Sequence, residues 1–312
     1  MSSGLSKKKK NKNRRMNSIE INQLSKSFVS GCPVLDRFDL EVKQGQVYGL
    51  LGQNGCGKST TFNILAGLEM ADSGTAHILG APFRYATPEH RSRVAIVSQS
   101  GTTFPSFSLA QHFDYFEQCY SQWDPKLAGY LAAKFDLSLM YPVKFFSGGE
   151  QRKAAVLLAL ATRAEVLLFD EPAAGLDPVA RRFFVEELVD ALSERKKTTV
   201  LFSTHIMSDL ERIADDVGFL HRGRMMMEEN MCELTEMVRK VQVIFPEGVA
   251  VPQGFELPGQ IGRLVREGSV ASGVARFKSM EEREAYRRQT DKQVGIFNLN
   301  LEDLFIELIR KN

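Results

Sequence analysis

One loop limits what this chain can fold into. Gly52-Gln53-Asn54-Gly55-Cys56-Gly57-Lys58-Ser59-Thr60 follows the apolar run Val47 to Leu51 and precedes Thr61 to Leu68. The run reads as a buried strand and the following residues as a helix. The spacing G-x-x-x-x-G-K-S between strand and helix is that of a phosphate-binding loop. Glycines let backbone N–H groups turn inward and approach phosphate oxygens closely. The helix amino end aims a partial positive charge at the same place. Lys58 is expected to reach the β- and γ-phosphates and Ser59 to hold Mg²⁺. The loop says only that a nucleoside triphosphate binds, so the rest of the chain must choose among many functions.

Over 312 residues the expectation is one large or two medium domains. No apolar run approaches the roughly 18 residues a membrane span needs. The best stretch, Ala154 to Ala161, is short and lies between Lys153 and Arg163. The amino terminus has no apolar segment of a signal peptide. Cys32, Cys56, Cys119 and Cys232 are scattered without metal-ligand spacing and fit a reducing compartment. Of 40 Lys and Arg, seven fall in residues 1–15, which hold no acid; the other 33 face 38 Asp and Glu, a net of −5. The basic character belongs to a tail, so no nucleic-acid partner is expected of the folded part.

The tail, residues 1–17 around Lys7-Lys8-Lys9-Lys10, cannot bury a core and is expected to be disordered. It is either a solvated segment or one drawn to anionic lipid headgroups. Ile19 to Ile21 and Phe38 to Val42 alternate apolar and polar residues as half-buried antiparallel strands do. Thr75 to Leu79 and Val94 to Val97 read as strands. From about 101 to 162 the character turns helical, over Leu109 to Tyr120, Pro125 to Phe135 and Gly148 to Thr162. Strands follow at Val166 to Glu171, Thr198 to Ser203 and Val217 to His221, with helices at Pro178 to Leu192 and Met207 to Ala214. Strands alternating with helices imply a parallel-sheet core. Beyond Asn230 the expectation is a small α+β module: strands near Val241, Gly262, Val274 and Val294, and helices at Met280 to Arg288 and Leu301 to Ile309.

Asp170 and Glu171 end a strand whose four preceding residues are all apolar. An acid so placed in a phosphate-loop protein helps hold Mg²⁺, and Glu171 adds a carboxylate able to polarise a water for attack on the γ-phosphate. Phe146-Ser147-Gly148-Gly149-Glu150-Gln151 stands before another helix. Ser147 and Glu150 have the spacing of a capping box. The two glycines go beyond a cap, because they expose amides at a helix start and make a second anion site in one chain.

Together these segments resemble the nucleotide-binding subunit of a bacterial ABC transporter. Gly52–Thr60 matches its Walker A motif, and Phe146-Ser147-Gly148-Gly149-Glu150 resembles its LSGGQ signature. Val166–Glu171 matches Walker B with the catalytic glutamate. Ala174-Gly175-Leu176-Asp177 resembles the D-loop, Gln99 the Q-loop glutamine and His205 the switch histidine. The resemblance spans about Ile19 to Glu229. It implies a P-loop NTPase fold: an α/β mixed sheet with a parallel RecA-like core and an antiparallel β edge, carrying a helical insertion. The divisions expected are 18–230 for the ATPase domain, with the helical subdomain at about 101–162, and 231–312 for the accessory module.

The resemblance also implies chemistry. Glu171, His205 and Gln99 would serve hydrolysis, and Ser59, Gln99 and Asp170 would hold Mg²⁺. ATP would touch Gly52, Asn54, Gly55, Cys56, Gly57, Lys58, Ser59 and Thr60. Across a head-to-tail dimer it would also meet Ser147, Gly148, Gly149, Glu150 and Asp177 of the second copy. Phe28 stands where the family has a base-stacking Tyr, and is either that platform or ordinary core. Cys56, at a helix amino end, is either a favoured thiolate open to alkylation or a small residue that fits. Glu150 replaces the family's Gln and brings a negative charge to the second anion site, and Phe146 replaces Leu.

The function implied is an ATP-hydrolysing subunit, a homodimer or paired with a second ATPase, that powers transport by a separate membrane permease. It would lie peripherally on the cytoplasmic side of the membrane. Leu301 to Leu308 resembles the ending of ATPases serving ABC-2-type exporters, so export is expected over import. The alternatives are an ABC-type ATPase acting on ribosomes or DNA, and an ATP-gated ligand sensor working through the carboxy-terminal module.

Overall fold

The computed structural model describes residues 16–99, 103–193, 197–207, 211–246, 248–288 and 292–310. The expected basic tail falls almost wholly outside them, and the described chain enters its first strand at Asn17. In chain order the strands are β1 (Asn17–Val29), β2 (Cys32–Lys43), β3 (Val47–Leu51), β4 (Ser73–Ile78), β5 (Val94–Val97), β6 (Val166–Asp170) and β7 (Thr199–Thr204). They continue with β8 (Asp216–His221), β9 (Arg224–Asn230), β10 (Val238–Ile244), β11 (Ile261–Glu267), β12 (Val270–Arg276) and β13 (Gln293–Phe297). The helices are α1 (Lys58–Leu65), α2 (Pro88–Arg91), α3 (Leu109–Cys119), α4 (Pro125–Lys134), α5 (Gly148–Ala161) and α6 (Pro178–Ser193). The last three are α7 (Met231–Met237), α8 (Met280–Arg287) and α9 (Leu301–Arg310).

The central sheet has six strands in the order β5-β6-β7-β3-β8-β9. All neighbours run parallel except β9, which pairs antiparallel with β8. Every residue of β6 and β7 is buried, as strands covered on both faces must be. Their side chains divide by the period of two. Leu168 and Leu201 join Ile19, Ile21, Phe38 and Leu40 beneath the three-stranded antiparallel sheet β2-β1-β4. Leu167, Phe169, Val200 and Phe202 join the apolar helix α5 on the opposite face. Because the core strands are parallel, their carboxyl ends share one edge. Leu51 pairs with Thr204 there, and Asp170 with Ser203.

The antiparallel pairing of Ile19–Ile21 with Leu40–Val42 is present, but in a sheet of its own rather than at the edge of the core. The antiparallel edge of the core is β9, whose run of methionines and glutamates carries no alternation to announce it. Of the helix expected over Met207 to Ala214, residues 208–210 lie outside the described set and residues 211–213 form a turn.

The carboxy-terminal segment builds a four-stranded antiparallel sheet, β11-β12-β10-β13, over its own apolar cluster of Val241, Val243, Phe245, Leu264 and Phe277. Its last helix packs elsewhere. Leu301, Leu304, Phe305 and Leu308 of α9 belong to the main core, where the Phe305 ring stacks on Phe219 of β8 at 5.9 Å. The Leu301 amide donates to Glu211 Oε1 at 3.1 Å, and Arg276 pairs with Glu229 through two hydrogen bonds. Among the described residues no helix is long and apolar enough to cross a membrane.

Candidate active site

The phosphate loop leaves the carboxyl end of β3 and turns into α1. Two glycines are there because nothing larger fits. A Cβ on Gly52 would lie 2.5 Å from both Cys56 Sγ and the Leu220 carbonyl oxygen. Gly57 has φ +115°, and a Cβ there would lie 2.7 Å from Leu35 Cδ2 and 2.8 Å from the Val34 carbonyl. Gly57 is also the residue before α1, so no side chain caps the helix and no acid sits in its first turn. The amides of that turn are therefore suited to an anion.

A cavity of about 350 Å³ opens over the loop, lined by Val34, Asn54, Gly55, Gly57, Lys58, Ser59, Thr60, Gln99 and Glu171. Lys58 and Glu171 are 5% exposed. Lys58 Nζ donates to the carbonyls of Gly52 (2.6 Å) and Gln53 (3.2 Å) and lies 3.4 Å from Glu171 Oε1. The other Glu171 oxygen meets His205 Nδ1 at 2.8 Å, a contact in which an ionised carboxylate accepts and Nδ1 donates. Glu171 adopts φ +51°, a left-handed conformation that a β-carbon disfavours by about 1–2 kcal/mol. Such strain gathers where function requires a particular aim; here it turns the carboxylate out of the strand line, toward the lysine and the histidine.

Asp170 is buried behind Glu171, and its Oδ1 accepts a 2.5 Å hydrogen bond from Ser203 Oγ. The same Ser203 oxygen accepts from the Glu171 amide at 3.0 Å. One hydroxyl on β7 thus orients both acids at the end of β6. Ser59 Oγ and Gln99 Oε1 stand 3.5 Å apart on the cavity wall. From α5, Arg152 donates to the carbonyls of Ser98 (3.0 Å) and Gln99 (3.1 Å). Burial pulls its guanidinium below the ordinary range, while Asp170 and Glu171 pull it back up. Sequence reasoning missed Ser203 and Arg152. Arg152 looks like one more charge in the polar start of α5, beside Glu150 and Lys153; Ser203 looks like any polar residue at a strand end.

The structure therefore brings together Lys58, Ser59, Gln99, Asp170, Glu171 and His205. It does not bring in Ser147, Gly148, Gly149 or Glu150, none of which lines the cavity. Ser147 caps α5 in a full capping box: its Oγ accepts from the Glu150 amide at 3.2 Å and its amide donates to Glu150 Oε2 at 2.7 Å. Those bonds hold the Glu150 carboxyl below its usual range, so its negative charge stays at the helix start. A Cβ on Gly149 would lie 3.1 Å from Leu176 Cδ2, so the segment ending at Asp177 runs beside the start of α5. Asp177 is exposed and outside the cavity.

Two open alternatives narrow. Cys56 is buried, and burial pushes its thiol above the ordinary range despite nearby Lys58. It is the small residue that packs against Gly52, not a favoured thiolate. Phe28 is 61% exposed and so is not core, although it does not line the cavity.

A larger cavity of about 500 Å³ sits at the opposite edge of the sheet, near Arg93 and Glu165 before β5 and β6. Its wall carries Glu20, Glu41 and Glu165, and its one arginine is already paired with Glu165 at 2.6 Å. Such a lining disfavours phosphate, so the smaller cavity is the chemical one.

Comparison with known proteins agrees with this geometry. The family model described as "ABC transporter" matches residues 35–174. A second, "AAA domain, putative AbiEii toxin, Type IV TA system", matches residues 141–208. The chain is 28% identical to the ABC transporter ATP-binding protein YtrB of Bacillus subtilis (strain 168) over 289 residues, 92% of this chain and 97% of that protein. It is 30% identical to the Nod factor export ATP-binding protein I of Ralstonia nicotianae over 290 residues, 88% of each chain. Among solved structures, an ATP-binding subunit of an ABC transporter superposes with a TM-score of 0.61 at 25% identity, covering 69% of this chain and 91% of that one.

Proposed function

Because the chain belongs to the ATP-binding subunits of ABC transporters, and is thus an ATPase subunit, we propose that it drives export through a separate permease by closing a head-to-tail dimer around ATP. The observation carrying this reading is that the phosphate cavity holds Lys58, Ser59, Gln99 and Glu171 while the Ser147–Gly149 helix start lies outside it. Two anion sites that do not meet in one chain are complementary halves for two.

In this reading Lys58 exchanges its bonds to the Gly52 and Gln53 carbonyls for phosphate oxygens. The carbonyls offer the ammonium only dipoles, whereas phosphate oxygens offer a full opposite charge at the same distance. That exchange frees Glu171 Oε1 to accept a proton from the attacking water, while His205 keeps hold of Oε2 and fixes the carboxylate plane. Ser59, Gln99 and Asp170 present hard oxygen donors in the small number Mg²⁺ uses when substrate phosphates and water complete its shell. Among the described residues no cluster of three or more His, Cys, Asp or Glu offers a site that would need no phosphate. When bound there, Mg²⁺ would supply neutralisation of the phosphate charge.

Export is supported by the Ralstonia relative, a Nod factor export ATP-binding protein. The helical insertion leaves Tyr130, Met140, Tyr141 and Phe145 more than half exposed, a surface suited to the permease. Docking there would hold the protein peripherally at the cytoplasmic face.

The division of labour is testable. Lys58→Ala should abolish detectable binding of ATP by the isolated protein. Ser147→Ala should leave that affinity within about threefold and reduce turnover at least tenfold, since it belongs to the other half. Equal loss of binding in both variants would place the signature serine in the same cavity and refute the reading.

A further inference from the structure

The β1–β2 hairpin carries a cation clamp that none of the motifs above accounts for. Lys26 on β1 is pinned by two acids from the turn after α1: Glu69 Oε1 at 2.9 Å and Asp72 Oδ1 at 3.5 Å. Its side chain is only 12% exposed although it lies near the tip of a hairpin. Asp72 also accepts from the Ser27 amide at 2.6 Å, and the Asp72 amide donates to the Ser25 carbonyl at 2.9 Å. The hairpin tip is thereby fastened to the helix that follows the phosphate loop. The fastened ammonium stands 5.1 Å from the centroid of the Phe28 ring. Phe28 remains 61% exposed, so much of its ring is open to solvent.

The register places the strand that carries this ring beside the phosphate cavity. Ser27 pairs with Pro33, and the next residue, Val34, is cavity wall, with its carbonyl against Gly57. A surface phenylalanine left to itself samples several rotamers, and ordering it on binding costs affinity. A fixed cation over one face removes much of that freedom and leaves the other face as a platform.

We propose that Lys26 is a positioning residue for the nucleotide base: clamped by Glu69 and Asp72, it holds the Phe28 ring with one face presented to a purine. The proposal rests on Phe28 as the base-stacking residue, and the two can fail separately.

The test uses the full chain, with a non-hydrolysable ATP analogue and inorganic tripolyphosphate as probes, the second having no base to stack. Phe28→Ala should weaken the analogue about five- to tenfold, as expected when a base loses an aromatic platform. Lys26→Met should weaken it about two- to fivefold, the range of an exposed cation–π contact. Tripolyphosphate affinity should stay within about twofold in both, and Lys26→Arg should restore analogue binding. The double variant should bind like Phe28→Ala, because Lys26 acts through the ring. If Phe28→Ala leaves analogue binding unchanged, the stacking reading falls and the proposal with it. If Phe28→Ala weakens binding but Lys26→Met does not, or the two losses add, only the role of Lys26 is overturned. Equal losses for tripolyphosphate would make the clamp a support of the phosphate loop and overturn the proposal.

Discussion

Removing one oxygen, Ser203 Oγ, should damage both stability and catalysis. That atom donates to Asp170 Oδ1 at 2.5 Å and accepts from the Glu171 amide at 3.0 Å, in a position with no exposed surface. Ser203→Ala leaves the buried Asp170 oxygen without its donor. A hydrogen bond to a charged group contributes about 1.5–3 kcal/mol. The Glu171 amide keeps a second acceptor, the Ser203 carbonyl at 3.2 Å, so its loss should be at the low end for a neutral bond, about 0.5 kcal/mol. The expected destabilisation is about 2–3.5 kcal/mol, read as a lower urea midpoint at unchanged slope. Misaim of the two acids should lower kcat at saturating Mg-ATP by about ten- to a hundredfold, the equivalent of about 1.4–2.8 kcal/mol. Ser203→Thr keeps the hydroxyl on a residue that favours strands and should retain most of both properties. If Ser203→Ala matches the parent in midpoint and in kcat, one hydroxyl does not organise the acids and the reasoning is wrong.

Other consequences concern the thiol in the loop and the last helix. Burial raises the Cys56 thiol above its ordinary value of 9.0, so N-ethylmaleimide at neutral pH should modify exposed Cys32, Cys119 and Cys232 first. A thiol with a raised folded pKa adds stability that is full below the unfolded value and fades as pH climbs through the folded one. Modification of Cys56 should therefore still be speeding up with pH above 9.0, as read by peptide mapping. Phe305→Ala removes a ring that is 4% exposed and stacked on Phe219. It should cost about 3–5 kcal/mol in a single unfolding transition of the whole chain, whereas a detached carboxy-terminal module would melt separately.

The parts of the site most legible in the sequence are those whose chemistry demands rare residue patterns. The glycine-lysine spacing of the loop, the two acids ending an apolar run and the double glycine before a helix are each uncommon where no phosphate has to be held. Strand boundaries in the core were readable for a related reason: burial on both faces writes Val166–Phe169 and Val200–Phe202 as unbroken apolar runs. What escaped is whatever depends on a distant partner. Ser203 gains its role only when β7 lies beside β6, and Arg152 only when α5 packs over the end of β5. The amphipathic face of α9 shows that it packs, not which core receives it. For α7 the signal was present, because Asn230 caps it through the amides of Cys232 and Glu233. That short helix was lost in the change of composition near Asn230.

The central claim is that this chain holds half of each composite ATP site. The most direct measurement is the solution mass of Glu171→Gln with saturating Mg-ATP, by light scattering. This variant keeps the shape of the carboxylate but cannot take a proton. The account predicts a monomer without nucleotide, a dimer with it, and a return to monomer when Ser147→Ala is added to the same chain. A mass that stays monomeric at saturating ATP, or a dimer indifferent to Ser147, would contradict it.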